Sequence, residues 1–170
     1  LVERSVKDEF LVYLKKWIVR MYGADATEND AYVKMINQKH FDRVTGLIDP
    51  EKVIFGGGRN ERTMQIQPTI LDDVTAEDAV MQEEIFGPIF PILSVDSMAE
   101  AEEFICKREK PLALYLFTQN KALAERFLRY VPFGGGCIND TIIHLATSRM
   151  GFGGVGGSGM GSYHGKKSFE

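Results

Sequence analysis

Residues 111–140 read PLALYLFTQNKALAERFLRYVPFGGGCIND. Leu112–Phe117 is an uninterrupted apolar run of strand length, long enough for a buried strand and too short for a helix. Asn120 is a residue type that caps helices, its side-chain oxygen accepting from an amide of the first turn. Leu123, Ala124, Phe127 and Leu128 then recur at helical spacing on one face. Gly134-Gly135-Gly136 breaks that pattern and leads into Cys137-Ile138, a second strand. Two apolar strands joined by one amphipathic helix imply a parallel crossover, in a sheet covered on both faces.

The same alternation begins upstream. Ile89–Val95 reads as a strand, and Ser97 with Glu100 has the spacing of a capping box opening a helix that buries Ala101, Phe104 and Ile105. Strand, helix, strand, helix, strand defines an α/β fold of parallel-sheet βαβ layers. Further upstream, Ser5 and Asp8 suggest another cap. Phe10, Leu11, Leu14, Trp17, Ile18 and Met21 follow on one helical face, with Gly23 as the stop. A second helical stretch is expected from Ala31 to Ile48, ended by Asp49-Pro50. Val53–Phe55 reads as a strand. Pro68, within the mixed segment from Met64 to Leu71, argues for an edge position because proline cannot donate to a sheet. Past Asn139 the regularity dissolves. Residues 151–161, GFGGVGGSGMG, lose so much backbone entropy on ordering that they are either disordered or packed closely against other backbone.

A chain of 170 residues without repeats or linkers is expected to form a single domain, residues 1–170. Net charge is −4, and no run of Lys or Arg forms a polyanion-binding patch, so no nucleic-acid partner is expected. No apolar run reaches the length of a membrane span, and nothing reads as a signal peptide. Cys106 and Cys137 make no disulfide framework and are read as small core residues in a reducing, cytoplasmic setting. The chain starts at Leu1 and stops at Glu170 inside a polar run, which reads as two cuts in a longer chain.

Three motifs carry chemical interest. Gly154-x-Gly156-x-x-Gly159 matches a dinucleotide fingerprint by letter, but it lacks the strand before it, the apolar helix after it and the later acidic residue. His40, His144 and His164 are scattered, with no metal-ligand spacing and no CxxC, so no metal is expected. Cys137 and His144 are near in sequence, yet nothing there positions a base for hydrolysis. In Gln82–Pro88 the adjacent carboxylates Glu83 and Glu84 read most simply as a solvated pair and Phe86 as core. The alternative is that a carboxylate two residues before an aromatic, held by Gly87-Pro88, grips a ribose diol and packs against a flat ring.

The run Glu83-Glu84-Ile85-Phe86-Gly87-Pro88, with Lys110-Pro111-Leu112-Ala113-Leu114-Tyr115 and the segment from Phe152 through Tyr163-His164-Gly165-Lys166-Lys167-Ser168-Phe169-Glu170, resembles the aldehyde dehydrogenase superfamily. The Gly-Met-Gly-Ser-Tyr-His-Gly-Lys-Lys stretch is similar to its class 3 and fatty-aldehyde branch. The resemblance spans essentially the whole chain, as the C-terminal part of the catalytic domain. It implies that Glu84 hydrogen-bonds the nicotinamide ribose and that Phe86 packs near the nicotinamide. It implies that Asn139 belongs to the strand beside the active site, and that Phe152, with His144 and Leu145 as neighbours, lines the substrate entrance. It implies NAD or NADP as cofactor, an aliphatic or aromatic aldehyde as substrate and a homodimeric parent. The family oxidises aldehydes to carboxylic acids through a cysteine thiohemiacetal. Its nucleophilic cysteine and general-base glutamate fall upstream of Leu1, so no catalytic residue is assigned in this chain, which is expected to be inactive alone.

Gly151 stands where the family usually has proline, Gly157 where asparagine is common, and Gly134-Gly135-Gly136 is richer in glycine than usual. These departures bear on substrate preference. The competing readings are a reductive or acylating relative and a non-catalytic association or binding module that reuses the fold.

Overall fold

Phe10, Leu11, Leu14 and Ile18 line one side of helix α1 (Lys7–Tyr22) and pack with Ile70 and Ile92 into a core that also takes in Val2, Ile54 and Phe55. The computed structural model describes residues 1–169, so Glu170, the last residue of the motif quoted above, lies outside the described residues. Two compact units are present, Leu1–Ser97 and Met98–Glu170. No Gly/Pro-rich linker marks the division at Ser97 in the sequence.

The first unit runs β1 (Val2–Glu3), α1, α2 (Gln38–Gly46), β2 (Val53–Phe55), β3 (Arg59–Asn60), β4 (Gln65–Ile66), β5 (Thr69–Leu71), β6 (Ile89–Pro91) and β7 (Ser94–Val95). β5 is the middle strand of the order β2-β5-β6, antiparallel to β2 and parallel to β6, while β1 pairs in parallel with β7. Ile70 and Leu71 are almost fully buried there. Each such side chain contributes roughly 1.5–3 kcal/mol on leaving water.

Several local expectations are corrected. Ser5 does not cap α1; it lies in a 3-10 turn, and the N-cap is Val6, which makes no side-chain cap bond. Gly23 does end the helix, at φ +90°. Trp17 and Met21 stay exposed, and the Arg20 guanidinium lies 4.7 Å from the Trp17 ring centroid. The second helix is far shorter than the apolar spacing suggests. Asn37 is extended, and its Oδ1 accepts from the His40 amide at 2.9 Å, so α2 starts at Gln38. Before it, irregular backbone is tied to Met64, whose carbonyl accepts from the Met35 amide at 2.8 Å. Pro68 lies just outside a central strand rather than on an edge. Ile89–Val95 is two short strands in different sheets.

The second unit follows its sequence closely. It runs α3 (Met98–Cys106), β8 (Ala113–Leu116), α4 (Lys121–Tyr130) and β9 (Gly135–Ile138). Asn120 caps α4, its Oδ1 accepting from the Leu123 amide. β8 and β9 pair in parallel, from Ala113 opposite Gly135 to Leu116 opposite Ile138. Phe127, Leu116 and Val131 form the core, with Ile105, Leu114, Leu123, Ala124 and Ile138 packed around it. Leu128 points to solvent, and Cys106, at the end of α3, is exposed rather than core.

The glycine-rich segment is an ordered, close-packed loop. Phe152 and Tyr163 exchange backbone hydrogen bonds at 2.7 and 3.0 Å, which folds the segment back on itself. Glycine is required where the loop meets the sheet: a Cβ on Gly134 would lie against the Gly153 carbonyl and 3.0 Å from Gly154 Cα. Among the described residues no helix is long and apolar enough to cross a membrane.

Candidate functional site

Glu84 and Phe86 lie in the first unit, on the irregular stretch that connects β5 to β6. Both are exposed, Phe86 by 78%. Phe86 has φ +47°, a left-handed conformation that bulky residues avoid. Such a backbone persists only where its surroundings fix it. They do so on both flanks. Upstream, Arg43 of α2 donates through Nη1 to Glu83 Oε1 at 2.7 Å and to the Glu84 carbonyl at 3.4 Å, and through Nη2 to the Ile85 carbonyl at 2.6 Å. Downstream, a Cβ on Gly87 would come within 2.7 Å of Val44 Cγ1, and the Pro88 carbonyl accepts from the Thr69 amide at 2.8 Å. The helix is itself anchored, since Phe41 and Val44 are fully buried.

Phe86 lines a groove of about 880 Å³ together with Leu14, Ile18, Tyr32, Met35, His40 and Pro88 among others. The lining is mostly apolar, with few polar groups, as in many small-molecule clefts. The groove accounts for the false helix of Ala31–Asn37: Val33, Met35 and Ile36 repeat apolar side chains because they line it.

The other four residues singled out in the sequence lie in the second unit. Asn139 follows β9 at φ +58°. Its amide closes on Thr118, Oδ1 accepting from the Thr118 amide and Nδ2 donating to the Thr118 carbonyl, both at 2.8 Å. The asparagine thus ties the end of β9 to the chain leaving β8, and its polar atoms are occupied there. His144 is buried, with its ring 5.6 Å from that of Tyr115 and 5.9 Å from that of Phe152. Phe152 meets Tyr163 edge-on at 5.6 Å. Leu145, the next residue along, is half-buried. An aromatic cluster therefore joins β8 to the glycine-rich loop.

Cys137 Sγ lies 3.8 Å from His144 Nδ1, so folding brings this pair together. The arrangement lacks what nucleophilic catalysis needs. His144 Nε2 is buried with no hydrogen-bond partner among the described residues, so no third group orients the imidazole as a base. Among the described residues no group of three His, Cys, Asp or Glu side chains could hold a metal ion.

A family profile described as the aldehyde dehydrogenase family matches residues 1–170. The chain belongs to that family. It is 46% identical over 170 residues to the dimeric NADP-preferring aldehyde dehydrogenase of Bos taurus, covering all of this chain and 71% of that protein. It is 47% identical over 172 residues to 4,4'-diaponeurosporen-aldehyde dehydrogenase of Staphylococcus aureus, where it spans all of this chain and 38% of the relative's length. A substrate-bound structure of Staphylococcus aureus AldH superposes with a TM-score of 0.96 at 47% identity, over 99% of this chain and 37% of that one. The aldehyde dehydrogenase fold is thus present as a part. Likeness to aldehyde dehydrogenase family 3 member A2 of Rattus norvegicus, 46% identical over 170 residues and matched over 35% of its length, agrees with the tail motif.

One residue of this candidate site had no signal in the sequence. The partners of Arg43 are 40 to 42 positions away, and nothing in α2 announces them.

The residues present fit the nicotinamide cofactor that the family implies. A free carboxylate and an exposed aromatic ring, two positions apart on a fixed backbone, offer a hydrogen-bond acceptor for a diol and a flat apolar face. Glu84 and Phe86 would hold the ribose and ring ends of that cofactor.

Proposed function

We propose that this chain is the C-terminal part of the catalytic domain of an NAD(P)-dependent aldehyde dehydrogenase that oxidises aliphatic or aromatic aldehydes to carboxylic acids. The observation that carries the reading is the family match over residues 1–170 together with the exposed Glu84 and Phe86 on a braced loop over an apolar groove. Glu84 accepts from the ribose hydroxyls and fixes the cofactor's depth. Phe86 packs beside the nicotinamide and excludes water from one side of it. Bound NAD(P)⁺ supplies the hydride acceptor. Phe152, His144 and Leu145 line the aldehyde's entrance, and Asn139 acts on the site by pinning the end of β9. Neither Cys106 nor Cys137 is the nucleophile. The thiohemiacetal forms on a cysteine outside this chain, as does the general-base step, so the chain alone is inactive. The full-length protein is homodimeric, by likeness to the dimeric bovine relative, and its free cysteines suit a reducing, cytoplasmic setting.

The test is NAD(P)⁺-dependent oxidation of hexanal, a long-chain aldehyde and benzaldehyde by the full-length protein. Turnover with either cofactor supports the reading, and the preferred aldehyde defines the substrate class. A well-folded full-length protein that turns over none of them with either cofactor would favour an association or binding module instead.

A further inference from the structure

We propose that Arg43 is the positioning residue of the cofactor-facing loop: it sets the backbone that presents Glu84 and Phe86 and does not itself touch the cofactor. The inference rests on the reading of Glu84 as the ribose ligand.

An exposed Arg–Glu pair on its own would be a surface ornament, because such pairs contribute little to stability. Three observations set Arg43 apart. Its side chain is only 26% exposed. Two of its three hydrogen bonds go to main-chain carbonyls, those of Glu84 and Ile85, so the guanidinium holds backbone as well as a side chain. Those carbonyls immediately precede Phe86, whose φ of +47° needs an outside constraint. The next residue of the same helix, Val44, packs against Gly87 on the other side of Phe86. Two consecutive residues of α2 therefore fix both flanks of one strained position. The planar fork of arginine can span a carboxylate and two carbonyls at once, which a lysine ammonium cannot do with fixed geometry. Glu83 takes the charge of Arg43, which leaves the neighbouring Glu84 carboxylate free of that pairing.

The test uses the full-length protein and measures NAD⁺ and NADP⁺ dissociation constants by calorimetry beside the steady-state KM for cofactor and for aldehyde. Arg43→Ala, Arg43→Lys and Glu83→Gln are compared with Glu84→Gln. Arg43→Ala is expected to weaken cofactor binding by about tenfold, the scale of one hydrogen bond to a charged group. The aldehyde KM stays at its parental value. Arg43→Lys, which keeps the charge and loses the fork, restores only part of the binding, and Glu83→Gln has the smallest effect. A merely structural role would lower the amount of active protein and leave the cofactor constant unchanged. Normal cofactor binding by Arg43→Ala alongside weakened binding by Glu84→Gln overturns the brace. Weak binding by Arg43→Ala with normal binding by Glu84→Gln overturns the ribose reading and keeps the brace. Should Arg43→Ala fail to fold, Arg43→Lys decides, and full-strength binding by that variant overturns the proposal.

Discussion

The side-chain amide of Asn139 meets the backbone of Thr118 at both ends, accepting from its amide and donating to its carbonyl at 2.8 Å each. The Asn139 amide in turn donates to the Leu116 carbonyl, so the ladder between β8 and β9 ends in a three-point closure. Asparagine suits the position twice over, because it tolerates φ +58° better than other side chains and carries both a donor and an acceptor.

Asn139→Ala removes both side-chain bonds and places a Cβ residue with no compensation in left-handed backbone. The expected loss is about 2 kcal/mol, combining two exposed hydrogen bonds with the conformational cost. Asn139→Gly relieves the conformational part and should lose less. Urea unfolding of the two variants checks the order. Equal losses would mean that the left-handed backbone contributes nothing.

Gly135 packs against the imidazole of His144: a Cβ there would lie 2.9 Å from His144 Cδ2. Gly135→Ala therefore forces His144 to shift within its packing against Phe152 and Tyr115. If those rings line the aldehyde's entrance, the KM for aldehyde rises several-fold, on the order of 1 kcal/mol of binding, while the cofactor KM holds. Steady-state kinetics with a short and a bulky aldehyde tests this, since the bulkier substrate should suffer more.

Acid sensitivity should have a local source in the first unit. A hydrogen bond from Lys52, supported by the Thr75 amide, holds the Asp78 carboxyl below its ordinary value of 3.8. A carboxyl depressed in the folded state contributes stability above its unfolded value, and that contribution is lost as pH falls through the folded one. Lys52→Met removes the largest cause. Its unfolding midpoint should lie below the parental one at neutral pH, and the gap should narrow as pH drops below about 4. A constant gap across that range would show that Asp78 is not the group responsible.

The second unit was legible because its instructions are local. Asn120, the helical spacing of Leu123, Ala124 and Phe127, and the glycines before Cys137 each act within a turn or two of themselves. The first unit was harder because its strands are two or three residues long and its loops are fixed from afar. Val33, Met35 and Ile36 repeat like a helix, yet Asn37 starts the helix after them and they line a groove. Pro68 signalled an edge, but one residue later the chain enters the middle of a sheet. Of the site, the motif around Glu84 and Phe86 stood out in the sequence through its family resemblance. Its support did not: Arg43 reaches across more than 40 positions, and no spacing rule links a helix residue to main-chain carbonyls that distant. The approach of Cys137 to His144 was similarly visible only as proximity in sequence, and its lack of a third orienting group could be read only from the fold.

The measurement closest to the central claim is the single-turnover rate of hydride transfer in full-length Glu84→Gln. The exposed Glu84 carries no packing duty, so the variant should keep its thermal midpoint. Misplacing the nicotinamide should slow hydride transfer by about tenfold or more, equivalent to roughly 1.4 kcal/mol of transition-state stabilisation. Hydride transfer at the parental rate in a fully folded Glu84→Gln protein would contradict the assignment of this loop to the cofactor.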